Sequence, residues 1–419
     1  MNIAILGYGV EGKSARRFLK KRYPNASIEI RDVKKQGKQY LEGLERFDMI
    51  IRSPGIPYLT PEIQKAKQAG VTVTSATKLF FEELGRWTST WMSNVQVVGI
   101  TGTKGKGTVA TMLYQILKRA GKDAHMVGNI GKPALDILPR LQKKSIVIFE
   151  LSSFQLQDLD RSPHIAAVLE IAPDHLDYHQ SMKEYIDAKS NIVRYQSKKD
   201  LVFYFMGDKY SRAIAQKRKG RKIPVTWESD SQFRLRVPGE FNKRNAAVVV
   251  AVAHMLGINN TTIKNALLRF RGLPYHLELA REVRGVRYYN DSASTNPFST
   301  KAAIGAISGP TILIMGGVDK GFHYSILKRP IAQYHVRAVV LYGANKDTIQ
   351  HALCGTKAPV FMAKNLSHAI TCAQKNAYAG DAIIFSPASA SFDMFKNSKE
   401  RGMAFTKLVR SLALRKFSC

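Results

Sequence analysis

The chain has few acidic residues, few cysteines and no long hydrophobic run. Only 32 aspartate and glutamate residues stand against 64 lysine and arginine residues, which gives the 419-residue chain a formal net charge of +32. The three cysteines, Cys354, Cys372 and Cys419, lie far apart without a CxxC pair, so they indicate neither a zinc site nor a disulfide framework. The apolar runs are only as long as strands, and we therefore expect no membrane-spanning helix and no membrane partner.

The N-terminal apolar run, residues 3–6, has no basic flank and continues directly into glycines. A secretory signal peptide needs a basic segment and a longer apolar core, so the sequence predicts no such peptide. Together with the low cysteine content, this predicts a cytoplasmic protein.

The surplus of basic residues has three interpretations. Lysine and arginine can neutralise nucleic-acid phosphates, reflect the composition of a host proteome, or attract anionic small substrates. Here they are spread along the whole chain, and the longest clusters, residues 33–38 and 216–222, are typical of solvated loops. We therefore rank nucleic-acid binding last and expect no nucleic-acid partner.

Length and residue pattern together predict an α/β protein of several domains. A chain of 419 residues is too long for one core, and 45% hydrophobic with 23% charged residues is typical of a globular protein. Strand-like and helical runs alternate throughout, which favours α/β layering. The predicted domains are an N-terminal Rossmann-like domain at 1–91, a central P-loop ATPase-like sheet at 92–272 and a C-terminal Rossmann-like sheet at 273–419.

The most informative motif is a glycine-rich loop at residues 101–108. An apolar strand-like run precedes it, a helical pattern follows it, and the letters TGTKGKGT supply three glycines and two lysines. Such glycines let main-chain N–H groups converge on an anion, Lys106 adds a mobile cation, and a hydroxyl can hold Mg²⁺. Gly107 stands where Ser or Thr is expected, so Thr108 must serve the metal. The loop predicts a nucleoside triphosphate site; the alternative is a turn whose glycines only relieve strain.

A second glycine-rich turn, residues 7–12, follows the first predicted strand as GxGxxG. Asp32 ends the next strand about twenty residues later, as in dinucleotide-binding units. Ser53 and Gly55 lie in a further turn where another strand ends. A Rossmann-like fold without nicotinamide explains this motif as well as a redox cofactor does. The segment therefore predicts a site for the phosphates of a nucleotide.

Candidate metal ligands follow two further predicted strands. Glu150 ends the strand 145–150, and a carboxylate at that place can serve Mg²⁺ directly or through water. Residues 173–179, PDHLDYH, are rich in metal-capable side chains, although an exposed loop with helix-capping aspartates would have the same composition. Lys189 lies on the next helical run, and nothing local distinguishes it.

The third segment repeats the alternation of strands and helices. Its predicted strands at 311–315, 338–342 and 381–385 each end in Gly or Ser-Pro, which is typical of ligand-binding turns in a doubly wound sheet. We find no nucleophile–His–acid set in the sequence and therefore no support for covalent hydrolase chemistry. Three α/β domains with one triphosphate site indicate a ligase.

At this point the chain resembles the Mur ligase superfamily along nearly its whole length. The blocks that carry the resemblance stand in family order at residues 53–56, 101–108, 150–156, 174–177, 187–189, 239–245, 290–292 and 386–397. Within the superfamily, ELSSFQ and the closing SFDMFKN are most similar to the D-glutamate-adding members. The resemblance implies that ATP drives formation of an amide between UDP-N-acetylmuramoyl-L-alanine and D-glutamate in cytoplasmic peptidoglycan synthesis. We expect a monomer.

The resemblance also implies the roles of individual residues. Lys106 would contact the β- and γ-phosphates, and Thr108 with Glu150 would hold one Mg²⁺. His175 would serve a second Mg²⁺, and Lys189 would be carbamylated and orient that metal. The further ATP contacts would be Gly102, Thr103, Lys104, Gly105, Gly107, Asn242, Asn245, His276 and Asp291. The contacts to the uridine nucleotide, the muramoyl group and the amino acid would be Gly7, Gly9, Gly12, Ser14, Asp32, Ser53, Gly55, Asn129, Ser153, Gln155, Lys320, Lys346, Ser391 and Ser398.

Some residues differ from the family pattern, and they leave two alternatives open. The departures are Gly107, Glu170, Phe241, His276 and Ala293. The loop GTKGKGT is closer to folylpolyglutamate synthase, a ligase of the same superfamily, and a basic binding protein without activity is the third class. The turns at 7–12 and 53–56 favour a uridine-binding domain, which a folate enzyme should lack. An inactive paralogue should have lost Lys106, Glu150, His175 or Lys189, and all four remain.

Overall fold

The computed structural model describes residues 1–88, 95–175, 178–217, 220–226 and 237–412, together with residues 233 and 235. These residues contain three β-sheets with intervening helices. The three-domain α/β fold predicted from the sequence is thereby confirmed.

By its internal contacts the chain divides into two compact units. The first comprises Met1–Phe233 and Arg244–Leu267, and the second comprises Arg234–Lys243 and Leu268–Cys419. The first unit contains two of the sheets and the second unit contains the third. The domain limits at 91/92 and 272/273 stay predictions, and the former lies outside the described residues.

The first sheet has four parallel strands in the order β2-β1-β3-β4. Neighbouring residues of β1 belong to different hydrophobic clusters, Ile3 and Ile5 to one and Ala4 and Leu6 to another. Side chains alternate across a strand, so both faces of this sheet are covered. Its elements are β1 (Asn2–Leu6), α1 (Val10–Arg22), β2 (Ser27–Arg31), α2 (Val33–Gln36), β3 (Met49–Arg52), α3 (Pro61–Gln68), β4 (Thr72–Ser75) and α4 (Ala76–Thr88).

The second sheet has six parallel strands in the order β10-β9-β8-β5-β7-β6. Phe80 and Phe81 of α4 pack against Phe149 of β7, with ring centroids 5.6 and 5.9 Å apart, which joins the cores of the first two sheets. The elements are β5 (Gln96–Thr101), α5 (Lys106–Arg119), β6 (Ala124–Gly128), α6 (Ala134–Ile137), β7 (Ile146–Glu150), α7 (Ser153–Leu156), β8 (Ile165–Val168), α8 (Met182–Arg194), β9 (Leu201–Phe205), α9 (Lys209–Gln216), β10 (Arg221–Val225), α10 (Glu240–Met255) and α11 (Asn260–Arg269).

The third sheet has the order β11-β12-β16-β13-β14-β15, and only the β11–β12 pair is antiparallel. Asparagine side chains cap the helices α12, α15 and α16 by accepting a main-chain N–H, so the sequence itself marks where these helices begin. The elements are β11 (Glu278–Val283), β12 (Val286–Asn290), α12 (Pro297–Ala306), β13 (Thr311–Gly316), α13 (Lys328–Gln333), β14 (Val336–Tyr342), α14 (Lys346–Ala352), β15 (Val360–Met362), α15 (Leu366–Lys375), β16 (Ala382–Phe385) and α16 (Ser398–Ser411).

No helix within the described ranges combines the length and the apolar character needed to span a bilayer. The strands of the second sheet are parallel, so the segments that follow β5, β7 and β8 leave the sheet at one edge. Open α/β sheets bind ligands at this carboxyl edge.

Candidate functional site

The glycine-rich loop joins β5 to α5 at the carboxyl edge of the second sheet. Gly105 precedes α5 in a left-handed conformation (φ = 84°), and a Cβ at this position would lie 2.4 Å from Asn245 Oδ1. Only glycine fits there. Thr103 is held from both sides, because its N–H donates to Glu170 O at 2.8 Å and its hydroxyl donates to Ala172 O at 2.9 Å. The loop and Asn245, both predicted to bind ATP, therefore lie together.

Two lysine side chains point into this loop. Lys106 Nζ donates to Gly102 O at 3.0 Å and to Thr103 O at 3.1 Å. Lys189, only 1% exposed, donates from Nζ to the same Gly102 oxygen at 3.0 Å and lies over the Tyr185 ring, 4.6 Å from its centroid. The structure thus distinguishes Lys189 from the other helix lysines by its burial and its contact with the loop, whereas nothing local in the sequence did so.

The electrostatics of these lysines favour a polyanionic ligand. Burial lowers the pKa of Lys106, although the Glu150 and Asp174 carboxylates act in the opposite direction. Burial also lowers the pKa of Lys189 to well below its ordinary value, and the Lys106 charge lowers it further. Two cations that share one carbonyl oxygen in a poorly solvated place repel each other. A phosphate chain, or loss of one lysine proton, would relieve that repulsion.

Glu150 and Thr108 are the candidate Mg²⁺ ligands at the loop. Glu150 ends β7, is 5% exposed and pairs in register with Ile100 of β5, so its carboxylate lies at the strand edge from which the loop departs. Thr108 lies in the first turn of α5. In the described part of the chain, no three His, Cys, Asp or Glu side chains come close enough to hold a metal ion. One hydroxyl and one carboxylate nevertheless fit Mg²⁺, which takes most of its ligands from phosphates and water.

His175 lies beyond β8, in the segment 173–179. Its main chain has φ = 52°, a left-handed conformation unusual for a non-glycine residue, and its ring lies 4.8 Å from that of Phe154. The side chain is about half exposed, with Nε2 3.5 Å from an oxygen of Asp174. Asp177, another metal-capable residue of this segment, lies outside the described residues.

A Ser–His–acid chain is present, and the expectation that none exists was wrong. His179 Nε2 lies 2.9 Å from Ser153 Oγ, and its Nδ1 lies 3.3 Å from Glu184 Oε1. Ser153 and His179 are 26 residues apart in sequence and meet only because α7 packs against α8. Burial lowers the pKa of His179. Because Ser153 is only 2% exposed, this Ser–His–acid set gives no support for covalent hydrolase chemistry.

The N-terminal glycine-rich turn is closely packed against its own strand edge. A Cβ on Gly12 would lie 2.2 Å from Gly7 O, and Gly7 itself has φ = 82°. Asp32 accepts the Lys34 N–H at 2.9 Å and the Tyr8 N–H at 2.7 Å, and these two bonds lower the pKa of its carboxyl group. Asp32 is thus fixed beside the turn, as its predicted role in nucleotide binding requires.

Other predicted substrate contacts of this unit are placed less directly. The Ser53 hydroxyl donates to Gly7 O at 3.0 Å. The Ser14 hydroxyl is buried and donates to Asp136 at 2.8 Å. Gln155 is also buried: its carbonyl oxygen takes part in a capping box with Ser152, and its NH₂ donates to Glu11 at 2.8 Å. By contrast, Gly9 and Asn129 are exposed, and space is open around Gly9 and Gly55.

In the second unit, hydrogen bonds hold both carboxylate oxygens of Asp291, a predicted ATP contact. One carboxylate oxygen accepts the Leu277 N–H at 3.0 Å and the other accepts the Ser386 hydroxyl at 2.6 Å. Burial raises the pKa of Asp291 to about 6. His276 is exposed, with Nδ1 2.9 Å from Pro274 O. Asn242 donates from Nδ2 to Pro238 O at 2.6 Å.

The predicted amino-acid contacts lie at the ends of strands of the third sheet. Lys346 opens α14, next to the buried Asn345, whose side chain bonds Gly317 N, Tyr324 and Ser389. Ser391 is buried, Ser398 opens α16, and Lys320 is exposed.

Comparison with known proteins places these motifs in a family. The model of the Mur ligase middle domain matches residues 100–233, and that of the Mur ligase glutamate ligase domain matches residues 277–389. The UDP-N-acetylmuramoylalanine–D-glutamate ligase of Symbiobacterium thermophilum is 32% identical over 405 residues, which cover 90% of this chain and 87% of that protein. The ligase of the same name from Acetivibrio thermocellus is 34% identical over 408 residues, 90% of this chain and 85% of the relative. This chain belongs to the Mur ligase family.

Solved Mur ligases share its fold. The UDP-N-acetylmuramate-alanine ligase of Thermotoga maritima superimposes with a TM-score of 0.59 at 17% identity and covers 99% of this chain and 100% of its own. The MurF ligase of the same organism, solved in complex with ADP, gives 0.59 at 14% identity, with 98% and 95% coverage. At such identities the likeness concerns the fold alone.

Several residues of this Mur ligase that organise the site carry no local sequence signal. Arg401 is fully buried and donates to Ser292 and to the carbonyls of Ser389 and Ala390. Arg52 is also buried and pairs with Asp158, which is 106 residues away in the sequence. Only the fold brings these partners together, so no pattern of spacing could have found them.

The positions that depart from the Mur ligase pattern are accommodated locally. The Glu170 carboxylate lies 3.5 Å from Arg244. The main-chain carbonyl of Glu170 holds the glycine-rich loop by accepting the Thr103 N–H. Phe241 is about half exposed, and the Ala293 N–H donates to Tyr275 O at 3.0 Å. Gly107 is buried within α5.

Proposed function

We propose that this Mur ligase joins D-glutamate to UDP-N-acetylmuramoyl-L-alanine with hydrolysis of ATP. The observation that carries the proposal is the loop at 102–105, where the half-buried Lys106 and the buried Lys189 share the Gly102 oxygen and Lys106 interacts with the Glu150 carboxylate. The D-glutamate ligases named above, at 32% and 34% identity over most of the chain, support the choice of substrates.

The chemistry follows from the weakness of a carboxylate as an electrophile. The alanine carboxylate takes the γ-phosphoryl group of ATP, with ADP as the leaving group, and becomes an acyl phosphate. The neutral D-glutamate amine then attacks the acyl carbon, the C–N bond forms, phosphate leaves, and the nitrogen loses one proton and keeps the other as the amide N–H. Phosphoryl transfer of this kind depends mainly on positioning and charge neutralisation. Lys106 supplies one such charge to the β- and γ-phosphates.

We propose two Mg²⁺ positions, one at Thr108 and Glu150 and one at His175 and a carbamylated Lys189. Bound Mg²⁺ would neutralise phosphate charge and orient the reacting oxygens. A carbamate is an anionic oxygen donor, which Mg²⁺ prefers, whereas an ammonium group would repel the metal. The lowered pKa of Lys189 supports this step because only the neutral amine reacts with carbon dioxide.

The remaining site residues keep their proposed roles. The turn at 7–12 with Asp32, Ser53 and Gly55 would hold the uridine diphosphate, and Asn129, Ser153 and Gln155 the muramoyl group. In the second unit, Asn242, His276 and Asp291 would contact ATP. Lys320, Lys346, Ser391 and Ser398 would hold the amino acid. We also propose that the enzyme works in the cytoplasm, since its proposed substrates are soluble small molecules. We further propose that it is a monomer, which size-exclusion chromatography tests.

With UDP-N-acetylmuramoyl-L-alanine, D-glutamate, ATP and Mg²⁺, the purified protein should release phosphate and form the dipeptide product. Phosphate release measured by colorimetry and product measured by mass spectrometry check this, with L-glutamate and omission of the uridine substrate as controls. Phosphate release that ignores the uridine substrate and requires a pteroylglutamate would instead assign the chain to the folate branch.

The net charge of +32 leads to a separate prediction about nucleic acid. Binding to duplex DNA should be weak, with a Kd of about 10⁻⁴–10⁻⁶ M at physiological salt, and should collapse as salt rises because counterion release drives it. Fluorescence anisotropy at several salt concentrations with two unrelated sequences measures it. Tight binding that depends on sequence at physiological salt would contradict the prediction.

A further inference from the structure

His175 has a conformation that its surroundings must maintain. Its φ of 52° is left-handed, and such a conformation is unfavourable for a non-glycine residue. The His175 carbonyl oxygen accepts the Tyr178 N–H at 3.1 Å and the His179 N–H at 2.9 Å. These two main-chain bonds tie the His175 carbonyl to Tyr178 and His179, so a shift of the His179 main chain would be passed on to His175.

His179 is fixed on three sides. Its imidazole is fully buried, stacks on Phe154 with ring centroids 5.6 Å apart, and meets the Tyr185 ring at 5.3 Å. One ring nitrogen is 2.9 Å from Ser153 Oγ and the other is 3.3 Å from a carboxylate oxygen of Glu184. Phe154 also contacts the His175 ring, so one aromatic side chain lies against both histidines.

Glu184 is itself held in place. Its carboxylate accepts the Gln180 N–H and the Gln157 side-chain NH₂, each at 2.6 Å, and its own N–H donates to Ser181, the cap of α8. An ionised carboxylate only accepts hydrogen bonds, so the His179 nitrogen beside it carries the proton and the other nitrogen accepts the Ser153 hydroxyl. The chain Glu184–His179–Ser153 thus connects the first turns of α8 and α7 with a fixed polarity.

We propose that His179, held by Ser153 and Glu184, is a positioning residue that keeps the His175 imidazole directed to a divalent cation. The inference rests on the proposed function, which gives His175 a place at the second Mg²⁺. Residues that orient a metal ligand from behind it typically change metal affinity by about 10–100-fold when they are replaced.

His179→Phe tests this role, because phenylalanine keeps the aromatic stacking and removes both side-chain hydrogen bonds. We expect Mn²⁺, bound in the presence of a non-hydrolysable ATP analogue and measured by electron paramagnetic resonance, to bind at least about tenfold more weakly. The affinity for the analogue without metal should stay unchanged. His175→Ala should weaken Mn²⁺ by a similar factor, and the double variant should be no worse than His175→Ala alone, because His179 acts through His175.

Two further variants separate positioning from general stability. Glu184→Gln should keep Mn²⁺ affinity within about twofold, because the amide can still bond the imidazole and the Ser153 hydroxyl can rotate to accept. Lys183→Ala, an exposed residue of the same helix, is the matched control and should change nothing. Thermal unfolding of each variant shows whether the fold is retained.

The outcomes distinguish the inference from the function on which it rests. If His175→Ala leaves Mn²⁺ binding unchanged, the proposed metal role of His175 fails, and the inference fails with it. If His175→Ala weakens Mn²⁺ but His179→Phe lowers only the unfolding temperature, His179 is a structural residue and the inference alone is wrong. A double variant markedly weaker than His175→Ala would also overturn it.

Discussion

Lys189→Ala should lose nearly all ligase activity, and short-chain carboxylates such as acetate or formate should restore part of it. The Lys189 amine is buried against the phosphate loop, 3.0 Å from Gly102 O, and burial and the Lys106 charge lower its pKa. The neutral amine adds to the carbon of carbon dioxide and releases a proton, which leaves a carbamate anion. Loss of an electrostatic group of this kind costs roughly 10²–10³-fold in kcat.

The rescue experiment is decisive because a carboxylate anion replaces the missing charge but not the side chain. Lys183→Ala removes an exposed lysine from the same helix and should keep full activity. A carbamate carbon seen by NMR after addition of ¹³C-bicarbonate to the wild-type protein, and absent in Lys189→Ala, would support the modification directly. Wild-type turnover by Lys189→Ala, or no response to added carboxylates, would refute the carbamate role.

Arg52→Met should be among the most destabilising single substitutions in the first unit. The Arg52 guanidinium is buried, donates to Ile56 O at 2.7 Å and to Phe154 O at 2.9 Å, and pairs with the buried Asp158 carboxylate at 3.0 Å. Removing Arg52 leaves that carboxylate buried without its cation, which costs about 3–5 kcal/mol. The midpoint temperature of the first transition in thermal unfolding should therefore fall by roughly 6–20 °C.

A double variant and a surface control show whether the buried charge is the cause. Arg52→Met/Asp158→Leu removes both charges and should recover part of the loss, but not all of it, because Phe154 O still lacks the Arg52 donor and Ile56 O keeps only the Tyr178 hydroxyl. Arg46→Met breaks the exposed pair with Glu29 and should change the unfolding free energy by less than about 1 kcal/mol. If Arg52→Met unfolds at the wild-type temperature, the ion pair does not hold the unit together.

The sequence by itself determined the elements whose signals are local. Residues 97–108 contain an apolar run, glycines and a helical pattern in succession, and the structure forms β5, the loop and α5 from them. The alternation of strands and helices likewise predicted three α/β sheets, and the motifs in their order indicated the family. These predictions succeeded because glycine conformation, helix capping and hydrophobic periodicity act between residues that are close in the chain.

Only the tertiary structure decided which polar residues meet inside the protein. Lys189 has no special neighbours in sequence. Its 1% exposure arises because α8 packs against the glycine-rich loop, where Lys189 contacts Gly102, 87 residues away in the sequence. The pairs Ser153–His179 and Arg52–Asp158 are 26 and 106 residues apart. Their contacts depend on how whole sheets and helices pack, and the strong desolvation that changes their chemistry exists only once that packing has excluded water.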